Sequence, residues 1–294
     1  MELTVFTPTY NRQKYIKKLL ESLAIQTCKK FEWLIVDDGS TDGTQQLLQE
    51  IIKKDYGFPI RVIRQNNGGK HRAINRAIKS ARGKYFFIVD SDDTLTPNAV
   101  EKVLDWWDSV EKLPNSEKYA GVAGLRKSAA GIIGGNGKGK GYIDASNLER
   151  RKYNLSGDKA EIYRTSLLKA YPFKEFEGEN FLSEDTVWDA IAADGYIIRW
   201  FSVPIYKCEY LQGGLTKSLE TLRRKNYKGF TYQTQMAIAH KPIRGKVHMI
   251  YDYTILSEKM GIGHKKAAKN IHVSTVLLEI CYMVGKLVLW KEKQ

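Results

Sequence analysis

Residues 59–93, PIRVIRQNNGGKHRAINRAIKSARGKYFFIVDSDD, contain a strand, a helix and a second strand, and this order decides the fold. The apolar runs PIRVI and YFFIV have the length and the β-branched or aromatic content of buried strands. The apolar residues between them recur at helical spacing, which predicts a helix over residues 70–80. Parallel strands joined in this way are connected by a right-handed crossover.

The preceding residues repeat the same pattern. ELTVF (2–6) and FEWLIV (31–36) are predicted strands, and helices are predicted near residues 12–25 and 43–54. Strands and helices that alternate at this spacing predict an α/β fold, with a mainly parallel sheet and helices on both of its faces. Ligands bind beyond the carboxyl ends of the strands in such sheets, so the loops that follow the strands are the expected site.

The remaining chain gives fewer clear signals. A helix is predicted near residues 97–110, a strand at YAGVAGL (119–125), and a further helix in SEDTVWDAIAADG (183–195). After residue 212 the pattern becomes helical and basic. These changes predict one domain over residues 1–212 and a helical basic region over residues 213–294.

The composition excludes several classes of protein. With 294 residues, 43% of them hydrophobic, the chain can bury one large core with a smaller appended region. Its 3 cysteines lack paired histidines, so neither a disulfide framework nor a zinc site is predicted, and a reducing cytosol fits. The N-terminal MELTVFTPTY predicts no secretory signal. The glycine patterns of dinucleotide-binding and P-loop proteins are missing from the loops, which disfavours a dehydrogenase or an NTPase.

The positive charge is concentrated near the C-terminus. The net charge is +14, and from Thr221 onward there are 14 lysines and arginines against 4 aspartates and glutamates. This surplus predicts an anionic partner for that region, although a solvated face explains it equally well. The basic residues do not alternate with aromatic residues that could stack on bases, so nucleic-acid binding is not expected.

An apolar stretch, VSTVLLEICYMVGKLVLW (273–290), lies within this basic region. Glu279, Gly285 and Lys286 interrupt it and its length is marginal for a membrane span, so an amphipathic helix is predicted. Three roles remain open for such a helix: packing on the rest of the protein, self-association, and contact with an anionic membrane surface.

Three carboxylates, Asp90, Asp92 and Asp93, follow the fourth predicted strand. Carboxylates this close repel one another, and a hard divalent cation such as Mg²⁺ or Mn²⁺ would remove that cost. The alternative is that they are turn and helix-start residues, because Thr96 before Pro97 is a suitable N-cap. The cluster alone does not decide between the two interpretations.

Four loop motifs in order resemble those of the family 2 glycosyltransferases, which have the GT-A fold. They are TPTYNR (7–12), DDGSTDGT (37–44), NNGGKHRAIN (66–75) and VDSDD (89–93). The resemblance spans residues 3–110, and the NGGKH variant is similar to a bacterial subgroup that builds surface polysaccharides. It implies that residues 1–110 form the half of the catalytic domain that binds the nucleotide sugar, and that residues 111–212 form the acceptor half.

The resemblance also implies roles for individual residues. Tyr10 would lie against the nucleotide base, Asp38 would accept a hydrogen bond from a uracil imide, and Asp37 would hold the turn. Asp92 would bind Mn²⁺ or Mg²⁺. The full set implied to bind the nucleotide sugar is Thr7, Pro8, Thr9, Tyr10, Arg12, Asp38, Asn67, Gly68, Lys70, Asp90 and Ser91.

A glycosyltransferase also needs a base that takes the proton of the acceptor hydroxyl. The pair Glu184 and Asp185 resembles the Glu-Asp motif of the family, which implies that Asp185 is that base and that Glu184 positions it. Ser183 followed by acidic residues is also ordinary helix-start chemistry, so this second interpretation stays open. Trp188 would shape the acceptor pocket or belong to the core. In YLQGGLTKS (210–218), which resembles a loop of related enzymes, Lys217 would meet the diphosphate.

The implied function is an inverting transfer of a sugar from a nucleotide sugar, expected to be a UDP-sugar, to a saccharide or lipid-linked acceptor in cell-surface polysaccharide synthesis. A sugar nucleotidyltransferase is the alternative enzyme, and a nucleic-acid-binding protein ranks last. A cytoplasmic location with peripheral attachment to the inner face of the membrane fits such an acceptor. The oligomeric state, including a homo-oligomer, is left open.

Overall fold

The chain forms two compact units in a computed structural model that describes residues 1–137, 141–209 and 219–291, with side chains up to Leu287 in the last helix. The first unit consists of Met1–Pro172 and Asp194–Gln212, and the second of Phe173–Ala193 and Gly213–Gln294. Each unit has a hydrophobic core of its own.

The first unit is built on a sheet whose first four strands are parallel, as predicted. They lie in the order β3-β2-β1-β4. The strands are β1 (Leu3–Thr9), β2 (Phe31–Asp37), β3 (Ile60–Arg64) and β4 (Tyr85–Ile88). The helices of this unit are α1 (Gln13–Ala24), α2 (Thr44–Ile51), α3 (Lys70–Ser80), α4 (Ala99–Glu111) and α5 (Thr165–Ala170).

The later strands extend the same sheet and make it mixed. They are β5 (Thr94–Leu95), β6 (Tyr119–Ser128), β7 (Gly131–Ile132), β8 (Tyr142–Ala145), β9 (Lys159–Arg164) and β10 (Ile197–Lys207). The order continues from β4 as β9-β6-β10-β5, with β7 paired to β6 and β8 paired to β10. Because β9 runs antiparallel to both β4 and β6, it joins the parallel half of the sheet to the rest.

Apolar side chains explain why these strands form the centre of the unit. Every residue of β2 is buried, and the core around it includes the large side chains of Phe31, Trp33, Phe87 and Trp107, all with 0% exposure. Central strands of a sheet that is covered on both faces show this continuous burial. The α/β fold class predicted from the sequence is therefore confirmed.

The second unit is helical in its described part. Its helices are α6 (Asp185–Ala193), α7 (Leu219–Lys225), α8 (Tyr227–His240), α9 (Ile243–Lys259), α10 (His264–Asn270) and α11 (Thr275–Lys291). Pro242 separates α8 from α9, since proline cannot continue a helix but is suited to starting one. Phe230, Tyr253, Leu256 and Leu278 form much of the core. A segment able to span a bilayer is absent from the described helices, none of which has both the length and the apolar character required.

The division of the chain differs in one respect from the domain boundary proposed at residue 212. Residues 173–193, which include α6, group with the helices that follow residue 213. A boundary predicted from the sequence divides the chain at one point, so it keeps α6 with the residues that precede position 212. In the structure α6 packs against α8, which lies later in the chain. The predicted boundary itself remains a prediction.

Candidate active site

Four loops meet at the carboxyl edge of the parallel strands. The register pairs Thr9 with Asp37 and Asp37 with Arg64, so β1, β2 and β3 end side by side. The amide of Asp38 donates to the carbonyl of Thr9 at 2.8 Å, which continues the pairing beyond the strands. The predicted binding loops of the first unit are therefore neighbours, as expected for a parallel sheet.

Asn11 ties the loop after β1 to the loop after β2. Its backbone is left-handed, with φ of 53°, a conformation that asparagine tolerates better than most residues. The side-chain oxygen of Asn11 accepts a hydrogen bond from the backbone amide of Thr41 at 2.8 Å, and the backbone amide of Asn11 donates to Ser40 Oγ at 3.0 Å. Tyr10 beside it remains 45% exposed, so its ring is available to a ligand.

The carboxylate of Asp38 holds the loop after β3. Oδ1 accepts hydrogen bonds from Gln65 Nε2 at 2.7 Å and from the amide of Gly68 at 2.9 Å, and Oδ2 accepts from the amide of Gly69 at 2.8 Å. Asn67 Nδ2 donates to the carbonyl of Asp38 at 3.0 Å. The two loops are thus locked together around a buried acid. The part played by Gln65 was not predicted, although its position directly after a strand was a usable signal.

Two glycines allow this close approach. Gly39 has φ of +80°, and a Cβ there would lie 2.8 Å from the amide nitrogen of Asn67. Gly69 has φ of +93° and directly precedes α3. The motif therefore presents the N-terminus of α3, with Lys70 as its first residue, at the sheet edge. Helix N-termini carry partial positive charge and free amides, which suit phosphate groups.

Asp90 lies between two cations. Lys70 Nζ is 2.7 Å from Asp90 Oδ1, Arg126 Nη1 is 3.8 Å from Oδ2, and the amide of Asp90 donates to the hydroxyl of Tyr206 at 2.9 Å. Burial acts to raise the pKa of Asp90, but the charges of Lys70 and Arg126, with a smaller contribution from Arg12, outweigh it. The pKa of Asp90 is therefore lowered and the group is ionised at neutral pH.

The other two acids of the motif differ from Asp90. Asp93 is 7% exposed and accepts a hydrogen bond from the amide of Glu209 at 3.0 Å. Burial, followed by the neighbouring charge of Asp90, raises the pKa of Asp93 to about 7. In the described part of the chain, the half-buried Asp92 carboxylate has neither a hydrogen bond nor an ion pair. Asp92 is thus the acid of this motif whose oxygens are available to a ligand.

The residues around Asp92 fit a divalent cation only in part. The described residues contain no group of three or more His, Cys, Asp or Glu side chains that could hold a metal ion. Mg²⁺ is commonly held by one or two carboxylates together with substrate phosphates and water. Asp92 lies two positions after Asp90, which pairs with Lys70 at the N-terminus of α3, and a hard oxygen donor at this place would fit that mode, with most ligands supplied by the nucleotide and the solvent.

The remaining predicted binding residues lie in or next to the same edge. Thr7 is buried and accepts a hydrogen bond from Trp33 Nε1 at 2.9 Å, so its side chain links β1 to β2. Pro8 is half-buried, and Ser91 is 5% exposed. The buried hydroxyl of Thr9 has no hydrogen-bond partner among the described residues. Thr9 therefore offers a polar atom at the strand end that a ligand could satisfy.

Arg126 and Tyr206 belong to the site but were not predicted. Arg126 lies near the end of β6, and its guanidinium carbon is 4.2 Å from the centre of the Tyr206 ring. Its Nε donates to the carbonyl of Lys159 at 2.8 Å, which fixes the side chain. The position of Arg126 directly after the predicted strand YAGVAGL was a weak signal, whereas Tyr206 in β10 had none.

Glu184 and Asp185 belong to the second unit, where Asp185 is the first residue of α6. Asp185 Oδ1 accepts a hydrogen bond from Gln233 Nε2 at 2.9 Å, and its Oδ2 is 3.2 Å from Lys241 Nζ. Lys241 also pairs with Asp189 at 2.6 Å. Burial acts to lower the pKa of Lys241, but the two aspartates raise it above its ordinary value. Gln233 and Lys241, both unpredicted, thus fix the orientation of the Asp185 carboxylate.

Trp188 and Lys217 are the last two residues with a predicted role. Trp188 is 9% exposed and packs edge-to-face on Phe173, with ring centres 5.8 Å apart, so it is a core residue of the second unit. Lys217 and the rest of residues 210–218 lie outside the described residues.

The sequence matches the family model for glycosyl transferase family 2 over residues 4–152, about half of the chain. The chain belongs to this family. Its predicted membership is therefore confirmed, and the matched segment contains all four loop motifs. Among curated relatives, the poly(ribitol-phosphate) beta-N-acetylglucosaminyltransferase TarS of Staphylococcus aureus is 33% identical over 177 residues. That alignment covers 58% of this chain and 28% of the relative, so the chain spans less than a third of that protein's length.

Solved structures share the fold. The crystal structure of S. aureus TarS 1-349 in complex with UDP-GlcNAc has a TM-score of 0.63 and 24% identity, covering 88% of this chain and 73% of that one. The mannosyltransferase PcManGT from Pyrobaculum calidifontis, in complex with GDP-Man and Mn²⁺, has a TM-score of 0.56 and 18% identity, covering 97% of this chain and 73% of that one. The GT-A fold of this glycosyltransferase is thereby confirmed.

Proposed function

We propose that this family 2 glycosyltransferase transfers a sugar from a nucleotide sugar, with inversion at the anomeric carbon, to an acceptor used in cell-surface polysaccharide synthesis. The observation that carries this proposal is the Asp92 carboxylate, which has no hydrogen bond or ion pair with the described residues and lies two positions after Asp90, the partner of Lys70 at the N-terminus of α3. Such an edge provides oxygen ligands for a cation and positive groups for a diphosphate within one site.

The donor is a nucleotide sugar, expected to carry UDP. Tyr10 has the exposed ring needed to cover a base, and the buried hydroxyl of Thr9, the preceding residue, has no hydrogen-bond partner among the described residues. Lys70 and Arg12 would supply charge for the diphosphate, and Asp90 and Ser91 are assigned to the ribose. The support for UDP comes from the fold shared with TarS, a structure of which contains UDP-GlcNAc.

The enzyme is expected to use Mn²⁺ or Mg²⁺, held by Asp92 together with the oxygens of the diphosphate. A bound ion would neutralise the charge that develops on the departing nucleoside diphosphate. The support is the Asp92 carboxylate, which is unpaired among the described residues, and the Mn²⁺ in the PcManGT structure, which has the same fold. Lys70 and Arg126 balance Asp90, so only part of the acidic charge of the motif is left for a cation.

Asp185 is the general base in this proposal. The acceptor oxygen forms a bond to the anomeric carbon while the bond from that carbon to the diphosphate breaks, and the proton of the acceptor passes to the Asp185 carboxylate. Gln233 and Lys241 hold that carboxylate, and Glu184 precedes it at the start of α6. A single displacement of this kind inverts the configuration and needs no covalent intermediate.

The acceptor is a saccharide or a lipid-linked saccharide. TarS, by its name, acts on poly(ribitol-phosphate), which supports a surface polymer as the acceptor class. A lipid-linked acceptor would lie at the inner face of the cell membrane, and the basic surplus after Thr221 suits anionic lipids there. A cytoplasmic enzyme with peripheral attachment to that leaflet follows.

The test is a donor panel. Purified protein is incubated with UDP-, GDP- and dTDP-sugars, with and without Mn²⁺, and the nucleoside diphosphate released as the sugar passes to water is measured. We expect release from a UDP-sugar that depends on the metal. Release of pyrophosphate from a sugar phosphate and an NTP would instead identify a nucleotidyltransferase, and no turnover with any donor would contradict the proposal.

A further inference from the structure

Helix α11 is apolar on two opposite faces. One face is buried: Leu278, Cys281 and Tyr282 are 0%, 4% and 8% exposed, and Gly285 lies against the ring of Tyr251 on α9. The other face is uncovered along the described part of the helix. Its members, called the α11 stripe below, are between 41% and 69% exposed and are Val276, Leu277, Ile280, Met283, Val284 and Leu287.

The α11 stripe is continuous rather than scattered. At about 100° per residue these six positions fall within about 120° of the helix circumference, and they extend about 16 Å along its axis. Single exposed apolar residues are normal on soluble proteins, whereas a row of this size marks a surface that contacts another apolar phase or partner. Of the three roles left open for this helix, packing on the protein accounts for the buried face, and the exposed face is left for self-association or membrane contact.

The charges near the α11 stripe indicate which kind of partner fits it. Residues 264–287 contain 4 lysines and 1 glutamate, and Lys265, Lys266 and Lys269 on α10 are exposed. The single glutamate, Glu279, is paired with His264, whose Nδ1 lies 2.6 Å from Glu279 Oε1. The local surface is therefore both apolar and positive.

A second copy of this chain is a poor match for that surface. Pairing two α11 stripes would bring the lysines of one copy towards those of the other, and like charges across an interface are unfavourable. An anionic lipid leaflet provides acyl chains for the apolar row and headgroup phosphates for the lysines. Because the apolar row runs along one side of α11 while the opposite side is buried, the contact would lie along the membrane surface.

We propose that the α11 stripe is a membrane-contact surface, which enters the acyl-chain boundary of an anionic leaflet with α11 parallel to the membrane plane. Lys265, Lys266 and Lys269 bind the headgroup phosphates at the same time. This inference rests on the proposed membrane location, to which it assigns a surface, and is independent of the donor, the metal and the catalytic base.

The experiment measures co-sedimentation of the full chain with vesicles of phosphatidylcholine and phosphatidylglycerol, in about a two-to-one ratio, and with vesicles of phosphatidylcholine alone. One variant carries Ile280→Ser, Met283→Ser and Leu287→Ser together. Its matched control is Ile243→Ser, an apolar residue of α9 that is 76% exposed. A second variant, Lys265→Gln with Lys266→Gln and Lys269→Gln, is matched by glutamine at three exposed lysines of the first unit, Lys17, Lys53 and Lys54.

We expect wild-type protein to bind the anionic vesicles, and both test variants to lose about tenfold or more in lipid partitioning while both controls bind as wild type. Circular dichroism checks that each variant is folded. Equal binding by the stripe variant, or no binding by wild type, would overturn the inference. A wild-type dimer that becomes monomeric in the stripe variant would overturn it in favour of a second copy. Nucleoside diphosphate release is measured on the same samples, so a failure of the proposed function would show as missing turnover with vesicle binding intact.

Discussion

At the residue scale, Asp38 has two candidate roles that can be separated. Its carboxylate accepts three hydrogen bonds from Gln65, Gly68 and Gly69, which hold the loop in front of α3. The family resemblance assigns it to the uracil imide. A carboxylate has enough lone pairs for both roles. The two roles differ in whether Asp38 supports the binding of UDP alone or of any nucleotide.

Asp38→Asn places an amide group among amide donors and should loosen the loop after β3. We expect affinity for UDP and for GDP to fall together, by about tenfold or more, because the lost hydrogen bonds support the phosphate site. Calorimetric titration with both nucleotides checks this. A loss of affinity confined to UDP would show that Asp38 contacts the base and does not support the phosphate site.

Asp92 should control the effect of metal on donor binding. Asp92→Asn removes the charge of a carboxylate that has no hydrogen bond or ion pair within the described part of the chain, so Mn²⁺ should no longer increase the affinity for UDP. Titration of UDP with and without Mn²⁺ measures this, with Asp55→Asn on an exposed loop as the control. An unchanged metal effect in Asp92→Asn would contradict the assignment.

Asp185→Asn should separate binding from transfer. The amide keeps the size of the side chain and an oxygen that can accept from Gln233, and Lys241 keeps its closer partner Asp189 at 2.6 Å, so folding and UDP affinity should stay unchanged. Transfer should fall by about 10² to 10⁴, the usual contribution of a general base. Steady-state kinetics with a UDP-sugar provides the measurement, and Glu177→Gln on the surface of the same unit is the control. Normal turnover in Asp185→Asn would remove it from the mechanism.

At the scale of elements, His264 links three helices. Its two ring nitrogens contact Glu279 on α11 and Glu258 on α9, at 2.6 and 2.9 Å. The hydrogen bond to Glu279 raises the pKa of His264 above its ordinary value, Glu258 adds to this, and burial opposes it. The charged imidazole therefore helps to hold α10 and α11 on α9.

A raised folded-state pKa gives this link a defined pH dependence. The stability it contributes is fully present below the unfolded pKa of about 6.5 and is lost as the pH rises through the higher folded value. His264→Gln should therefore destabilise the protein by about 0.5–1 kcal/mol at a pH near 6 and by less near 9, since both glutamates are partly exposed. Urea unfolding of the wild type and of His264→Gln, near pH 6 and near pH 9, measures the difference in the free energy of unfolding. An effect that is equal at both would show that His264 acts through packing alone.

At the scale of the whole molecule, the two cores should unfold separately. One surrounds the sheet and includes Trp33 and Phe87, and the other joins Phe230, Tyr253 and Leu278 among the helices. Units with their own cores commonly depart from two-state behaviour. Scanning calorimetry should show two transitions, and UDP with Mn²⁺ should raise only the midpoint of the first unit, because a ligand stabilises the unit that binds it.

Hydrogen exchange with mass spectrometry assigns each transition, since peptides from β1–β4 report on the first unit and peptides from α8–α9 on the second. A single transition, with equal calorimetric and van't Hoff enthalpies, would show that the two units unfold as one.

The sequence by itself determined the α/β class, the parallel half of the sheet and the loops that meet at the candidate site. These features depend on local information: the period of apolar residues fixes each strand and helix, and glycine, asparagine and aspartate fix the turns between them. Parallel strands then bring their carboxyl ends to one edge, so the order of the motifs was enough to predict that they meet.

Only the tertiary structure decided which distant residues complete the site. Tyr206 reaches Asp90 across 116 positions of sequence, and Arg126 joins them because β9, β6 and β10 follow β4 in the sheet. It also paired Asp185 with Gln233 and Lys241, and left the α11 stripe uncovered. The physical reason is that periodicity tells which face of an element is apolar, but the order of strands and the packing partners of helices are set by contacts between residues far apart in the chain.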